Sequence, residues 1–339
     1  MKLTYKFEIM GRIKLSIVLL SILFLGIVGC QNNANKQKDK KIYTIGISQL
    51  MTNPGIDAIR EGFLDEMGKL GYKEGKNIKY IRENSQGDNT VAQSIAKKFV
   101  NEKVDMIFAI TTPTAQVCAN EIKGTNIPLV FGAVTDPVGA GLVKSLEKPG
   151  RNITGTSDRW PTAAQFDLLL KLVPTVERIG VVYNPGESNS EDNMKVVRKV
   201  CKEKGLKLVT ASVSNTSEVY SAVQSLVGKI DAFYVSADNT VITAMDAVIK
   251  VSEKNKIPLL PGVSSNVEQG GFGTLGPNYF DVGVESAKIA DRIIKGEKPS
   301  DIPVSTAKNF DYFFNLKSAK ATNVVIPDSL LKIAAKVYK

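Results

Sequence analysis

Histidine is absent from this 339-residue chain, tryptophan occurs once and cysteine three times. Without an imidazole there is no Ser-His-Asp triad, no Cys-His pair, no His-ligated zinc or haem and no imidazole base. Also missing are a GxxxxGK[ST] phosphate loop, a GxSxG elbow, an HExxH helix, paired CxxC motifs and an EF-hand loop. The strongly apolar run Leu15 to Val28 has 14 residues, short of the roughly 20 that a membrane-spanning helix needs. These absences point away from an enzyme and from a multi-span membrane protein. What is present is an ordinary globular composition, 43% apolar and 23% charged, in a length that suits two domains.

The formal charge of +10 is unevenly spread. Lys2, Lys6, Arg12 and Lys14 precede the apolar run, which ends at Ile27-Val28-Gly29-Cys30. A basic segment, an apolar segment and a small residue at the cut make residues 1–29 a signal peptide. Gln31 to Lys41, QNNANKQKDKK, is polar and without apolar periodicity, so residues 30–41 read as a tether. Signal and tether each carry a net +3, leaving +4 on the rest, which is no mark of nucleic-acid binding. Cys118 and Cys201 fall in helical patterns in different halves of the chain and read as buried apolar side chains without a disulfide.

The remainder is duplicated. Ile45-Gly46-Ile47 is echoed by Ile179-Gly180-Val181, and Leu70-Gly71-Tyr72 by Lys204-Gly205-Leu206, both at an offset of 134. Val104-Asp105 is echoed by Ile230-Asp231, and Ile127-Pro128-Leu129 by Ile257-Pro258-Leu259. Between these β-branched runs lie helical spacings such as Ile59, Phe63, Met67, Leu70 and Met194, Val197, Val200, Cys201. Strands alternating with helices predict two β-α-β-α-β-α-β units with parallel sheets. Asn152–Trp160 and Gly270–Asn278 are extended, glycine-marked segments where the chain would change lobe. The helix-like Val282–Lys295 would return to the first lobe, and Phe310–Leu316 and a closing helix Pro327–Tyr338 to the second. The expectation is two Rossmann-like lobes joined by a three-crossing hinge, with residues 42–155 plus 277–303 as lobe 1 and 156–276 plus 304–339 as lobe 2. Gly271-x-Gly273-x-x-Gly276 matches a dinucleotide fingerprint in spelling only, since Pro277 follows where a helix should open.

In such sheets ligands bind beyond the carboxyl ends of the strands. The loops there contain Gln49, Thr111, Thr112 and Asp136 in lobe 1 and Asn184, Asp238 and Asn239 in lobe 2, with Asp158 at the first crossing. The offset sets Thr112 opposite Asp238. Hydroxyls and backbone N–H groups at a helix start suit a carboxylate, and a carboxylate across the cleft suits an ammonium, so a zwitterionic amino acid satisfies both. The same residue types are preferred helix N-caps, and capping is the competing reading of each. Trp160 serves either to stack on a ligand or to pack the hinge.

Gly132-Ala133-Val134-Thr135-Asp136-Pro137-Val138-Gly139-Ala140-Gly141-Leu142-Val143, followed by Gly150-Arg151-Asn152-Ile153-Thr154-Gly155, resembles the signature of a family of extracytoplasmic solute-binding proteins of ATP-binding cassette importers. Asp238-Asn239-Thr240-Val241 and Lys295-Gly296-Glu297-Lys298-Pro299 fit it too, and the similarity runs from about Ile42 to about Pro303. The resemblance implies a type I periplasmic-binding-protein fold. Its tryptophan-importer type implies tryptophan, tyrosine or phenylalanine as ligand, a membrane permease and its ATPase as partners, and no cofactor, metal or catalysis. Ile27-Val28-Gly29-Cys30 resembles the bacterial lipobox, with Ile27 where leucine is usual, which implies lipidation of Cys30 and an extracytoplasmic, membrane-anchored monomer. A sugar or nucleoside receptor of the same fold and a surface adhesin are the alternatives.

Overall fold

The computed structural model describes residues 41–307 and 310–339. The signal peptide, Cys30 and all of the tether before Lys41 lie outside the described residues. Ile42–Lys339 is one self-contained unit.

In chain order the strands are β1 (Tyr43–Gln49), β2 (Ile78–Asn84), β3 (Met106–Ile110), β4 (Leu129–Gly132), β5 (Ile153–Ser157), β6 (Arg178–Tyr183) and β7 (Lys207–Ser212). There follow β8 (Ala232–Val235), β9 (Leu259–Pro261), β10 (Gly273–Gly276), β11 (Ser305–Thr306), β12 (Asp311–Asn315) and β13 (Lys336–Tyr338). The first lobe is built on an all-parallel sheet ordered β11-β5-β4-β3-β1-β2 and the second on a parallel sheet ordered β7-β6-β8-β9. The inner orders β2-β1-β3-β4 and β7-β6-β8-β9 are the same topology twice, so the sequence echoes are echoes of structure. β3 is buried at all five positions, which a parallel sheet covered by helices on both faces requires. Cys118 and Cys201 are buried free thiols.

The helix Pro54–Lys69 shows how the local sequence sets an element. The Asn53 side chain accepts from Ile56 N at 2.9 Å, Pro54 occupies the first turn, and Gly71 at φ 95° lies just beyond the end. Its buried stripe is Ile56, Ile59, Phe63 and Met67, with Phe63 stacked on Phe108 of β3 at 4.1 Å between ring centroids. The helix Tyr279–Ile294 returns from the second lobe and lies against it. The two backbones touch through glycines: a Cβ on Gly62 would stand 2.0 Å from Phe280 O, and one on Gly283 2.0 Å from Ile59 O.

The chain crosses between lobes after β5, after β10 and after β11, the expected three-strand hinge. The lobe limits shift, however. β5 continues to Ser157 in the first sheet, and β11, assigned above to lobe 2, pairs with β5 there. Gly273 and Gly276 lie in β10, which pairs antiparallel with β12 and opens no helix, so the fingerprint spelling is a hinge strand. The expected closing helix Pro327–Tyr338 is one turn, Asp328–Leu331, and then β13, which pairs with β12 from Phe313↔Lys336 to Asn315↔Tyr338. A free sheet edge offers Val337 and Tyr338 ladder hydrogen bonds that outweigh a weak helical periodicity.

Candidate functional site

A cavity lies between the lobes, at the carboxyl ends of the strands. The first lobe contributes Asn53, Ile56 and Ile59 from the helix after β1, Thr111 and Thr112 after β3, and Ala133 and Thr135 after β4. The second contributes Asn189, Ala237, Asn239, Ile242 and Val263, and the crossings contribute Asp158, Trp160 and Tyr279. Two of the lining residues hold left-handed backbone without being glycine. Thr111, with φ 83° and ψ 160°, turns the chain from β3 into the helix Thr112–Glu121, and Ala133, with φ 56°, follows β4. Such strain is tolerated only where the surroundings over-determine it, as binding clefts do.

Asp158 is the charged group of this cavity. It is 4% exposed, Tyr279 donates its hydroxyl proton to Oδ2 at 2.7 Å, Thr135 Oγ1 donates to Oδ1 at 3.3 Å, and Trp160 Nε1 donates to the Tyr279 oxygen at 3.1 Å. Burial raises the pKa of the Asp158 carboxyl against the opposing pull of those hydrogen bonds. Burial, and then the nearby carboxylate, raise that of Tyr279 well above the usual phenol range. No lysine or arginine is among the described residues lining the cavity, so the carboxylate has hydrogen bonds and no cation. Thr112 Oγ1 and Asn189 Oδ1, both on the wall, are buried without a partner.

The sequence-predicted residues divide. Thr111, Thr112, Asp158 and Asn239 line the cavity; Gln49, Asp136, Asn184 and Asp238 do not. Asp238 is fully buried, and its carboxylate caps the helix Asn239–Thr243 from Val241 N at 2.8 Å while accepting from Asn184 N and from Ser190 Oγ at 2.7 Å. The offset equates it with Thr112, yet Asp238 caps its helix whereas Thr112 is the first residue inside its own, and the Asp238 side chain turns into the second lobe, so capping is its observed role. Burial first, and the neighbouring Glu187 second, push its pKa up to about 7. Asn184 donates from Nδ2 to Thr240 Oγ1 at 2.9 Å. Gln49 is buried and spent on Met51 O, Asp57 and Arg60 at 2.7–2.8 Å. Asp136 accepts from Val138 N and Gly139 N at 3.2 and 3.0 Å in its own turn.

Tyr279 and Asn189 escaped the sequence reading, whereas Asn53 closes the loop after β1 that it picked out. Tyr279 opens a helix immediately after the hinge strand, a position that Asn278 as N-cap signals. Asn189 sits one step into the helix after β6, where Glu187, itself in the loop, accepts from Asn239 Nδ2 at 2.6 Å and Thr240 Oγ1 at 2.7 Å. The lobes meet around the cavity: Ser188 Oγ donates to Gln116 at 3.3 Å, Thr243 contacts Met51, and a Cβ on Gly55 would lie 3.1 Å from Ser265 Oγ.

Two parallel-sheet lobes joined by three crossings around an inter-lobe cavity are the architecture of a hinged solute-binding protein. The chain belongs to the ABC transporter substrate binding protein family, whose model matches residues 44–338, and such proteins work outside the cytoplasm. It is 39% identical over 319 residues to the tyrosine-binding protein of Clostridioides difficile strain R20291, covering 91% of this chain and 92% of that one. It is similar to an ABC domain from Streptococcus pneumonia solved in complex with L-Trp, at 34% identity and a TM-score of 0.84, covering 88% of this chain and all of that one. To a ligand-free, open substrate binding protein with adhesive properties from Clostridium difficile it is 39% identical with the same coverage, and the TM-score is 0.68. The chain superposes better on the protein solved with L-Trp than on the ligand-free, open one, and its lobes touch across the cavity.

Proposed function

We propose that the protein captures an aromatic amino acid, tyrosine, tryptophan or phenylalanine, between its lobes and delivers it to a membrane permease driven by an ATPase. The observation that carries this is the buried, cation-free Asp158 carboxylate in the inter-lobe cavity. A ligand ammonium is the counter-charge that such a group lacks. Thr112 Oγ1 and the N-terminus of the helix Thr112–Glu121 receive the ligand carboxylate. The ring lies among Ile56, Ile59, Ala133, Ala237, Ile242 and Val263. The amino-acid ligands named for two relatives, tyrosine and L-Trp, support the aromatic class. The role first read for Asp238 therefore passes to Asp158, with Thr111 and Asn239 as neighbouring wall.

A basic, apolar, small-residue N-terminus ending at Cys30 supports export and lipid anchoring of a monomer on the outer face of the cell membrane. A second role in adhesion is favoured by the adhesive properties named for one relative. Binding is tested by calorimetry with the three aromatic amino acids and their N-acetyl derivatives. Acetylation, or Asp158→Asn, is expected to cost on the order of 3 to 5 kcal/mol, roughly 10² to several 10³ in affinity. Equal binding of free and acetylated ligand would remove the ammonium from the site. Host-cell binding by a variant unable to close on ligand would separate adhesion from transport.

A further inference from the structure

The net charge of the globule is confined to one segment. From Ile42 to Asn315 basic and acidic side chains are equal in number, whereas Leu316–Lys339 holds five lysines, Lys317, Lys320, Lys332, Lys336 and Lys339, against the single acid Asp328. All five are exposed and none is in an ion pair among the described residues; Lys336 Nζ lies over the Tyr338 ring at 5.7 Å. From outside the segment, Glu268 approaches the Tyr338 phenol. The same stretch carries the two most exposed large apolar side chains of the described structure, Val325 at 79% and Ile333 at 61%.

The stretch is not loose. Leu330 and Val324 are buried in the second-lobe core, β13 pairs with β12, and Ala335 N donates to Tyr312 O at 2.9 Å. Val325 and Ile333 are thus held outward by a fixed backbone, next to buried neighbours that could have taken their apolar surface. Lysines interleaved with outward apolar side chains on a rigid scaffold match the boundary of an anionic bilayer, where headgroups neutralise the ammonium groups and acyl chains cover the apolar ones. A nucleic acid backbone would satisfy the lysines and leave Val325 and Ile333 in water.

We infer that Leu316–Lys339 is a docking surface for an anionic lipid bilayer, bringing the second lobe to the membrane independently of ligand in the cleft. The test is co-sedimentation of the Ile42–Lys339 globule, a compact unit of its own, with vesicles of phosphatidylcholine alone or mixed with phosphatidylglycerol. Partition into the anionic vesicles is expected to be at least tenfold greater and to fall as salt rises. The set Lys317→Gln, Lys320→Gln, Lys332→Gln and Lys336→Gln should abolish that preference. The pair Val325→Ser and Ile333→Ser should weaken binding several-fold while keeping its salt dependence. Circular dichroism and aromatic amino-acid affinity serve as folding controls, since none of these residues lines the cleft. Equal partition into both vesicles, no partition into either, indifference to the lysine substitutions, or lysine-dependent capture by polyglutamate without vesicle binding would each overturn the inference.

Discussion

Trp160 packs against the backbone of Gly262 so closely that a Cβ at Gly262 would fall 1.9 Å from indole Cζ3. The indole comes from the first crossing and the glycine follows β9, so this contact seats the hinge on the second lobe. The adjacent Gln165 donates to Gly262 O at 3.0 Å and to Leu275 O at 2.8 Å, fixing the same corner.

Gly262→Ala should therefore push the indole away, break the hydrogen bond of Trp160 to Tyr279 and disturb Asp158 through it. Overpacking of this kind costs about 1–3 kcal/mol. The expected readouts are a lowered melting temperature and a shifted emission of the sole tryptophan; an unchanged spectrum would refute the contact.

Ligand affinity should depend on pH through Asp158. Its pKa is raised by burial, so on acidification it takes a proton above the usual carboxylate range and loses the charge that an ammonium needs. Affinity should fall on the acid side by roughly tenfold per pH unit once that proton binds. Calorimetry on Asp158→Asn should show a weak, nearly pH-flat affinity; a slope equal to that of the parent would assign the effect elsewhere.

Asp238 should govern stability rather than contact with ligand. Its pKa rises on folding, pushed up to about 7, so the folded state binds the extra proton. Its contribution is full below the unfolded value near 4 and is lost as pH climbs through about 7. Thermal denaturation from pH 4 to 8 should show this slope in the parent and a flatter one in Asp238→Asn, whose affinity should change far less than that of Asp158→Asn.

Thr111 stores backbone strain of about 1–3 kcal/mol at φ 83°. Thr111→Gly should release it, less the roughly 0.5–1 kcal/mol of extra chain entropy that glycine loses on folding. A small net rise in melting temperature is expected. A fall beyond 1 kcal/mol would show that the contact of Thr111 Oγ1 with Thr114 Oγ1, at 3.4 Å, outweighs the strain.

The architecture was legible because β-branched runs and helix caps are local signals and occur twice. Three of the proposed site residues were legible for the same reason: Thr111, Thr112 and Asn239 sit at helix starts beyond strand ends. Side-chain direction was not. Spacing equates Asp238 with Thr112, but whether a carboxylate faces the cleft or caps its own helix depends on partners such as Ser190, 48 residues away. Tyr279 lies 121 residues from Asp158, and no local pattern links them. The closing strand was misread because its partner β12, not its own periodicity, decides its form.

The glycine contact between the helices Pro54–Lys69 and Tyr279–Ile294 also sets an order of assembly. Ile59 and Phe63 lie on the helix face that packs there and on β3, and that cover arrives from residues more than two hundred positions later, after the chain has passed through the parallel sheet of the second lobe. An amino-terminal half that folds first has this face open, and closing so long a loop is slow. A chain that emerges amino-end first must therefore wait, or be kept from aggregating, until the returning helix reaches Gly62.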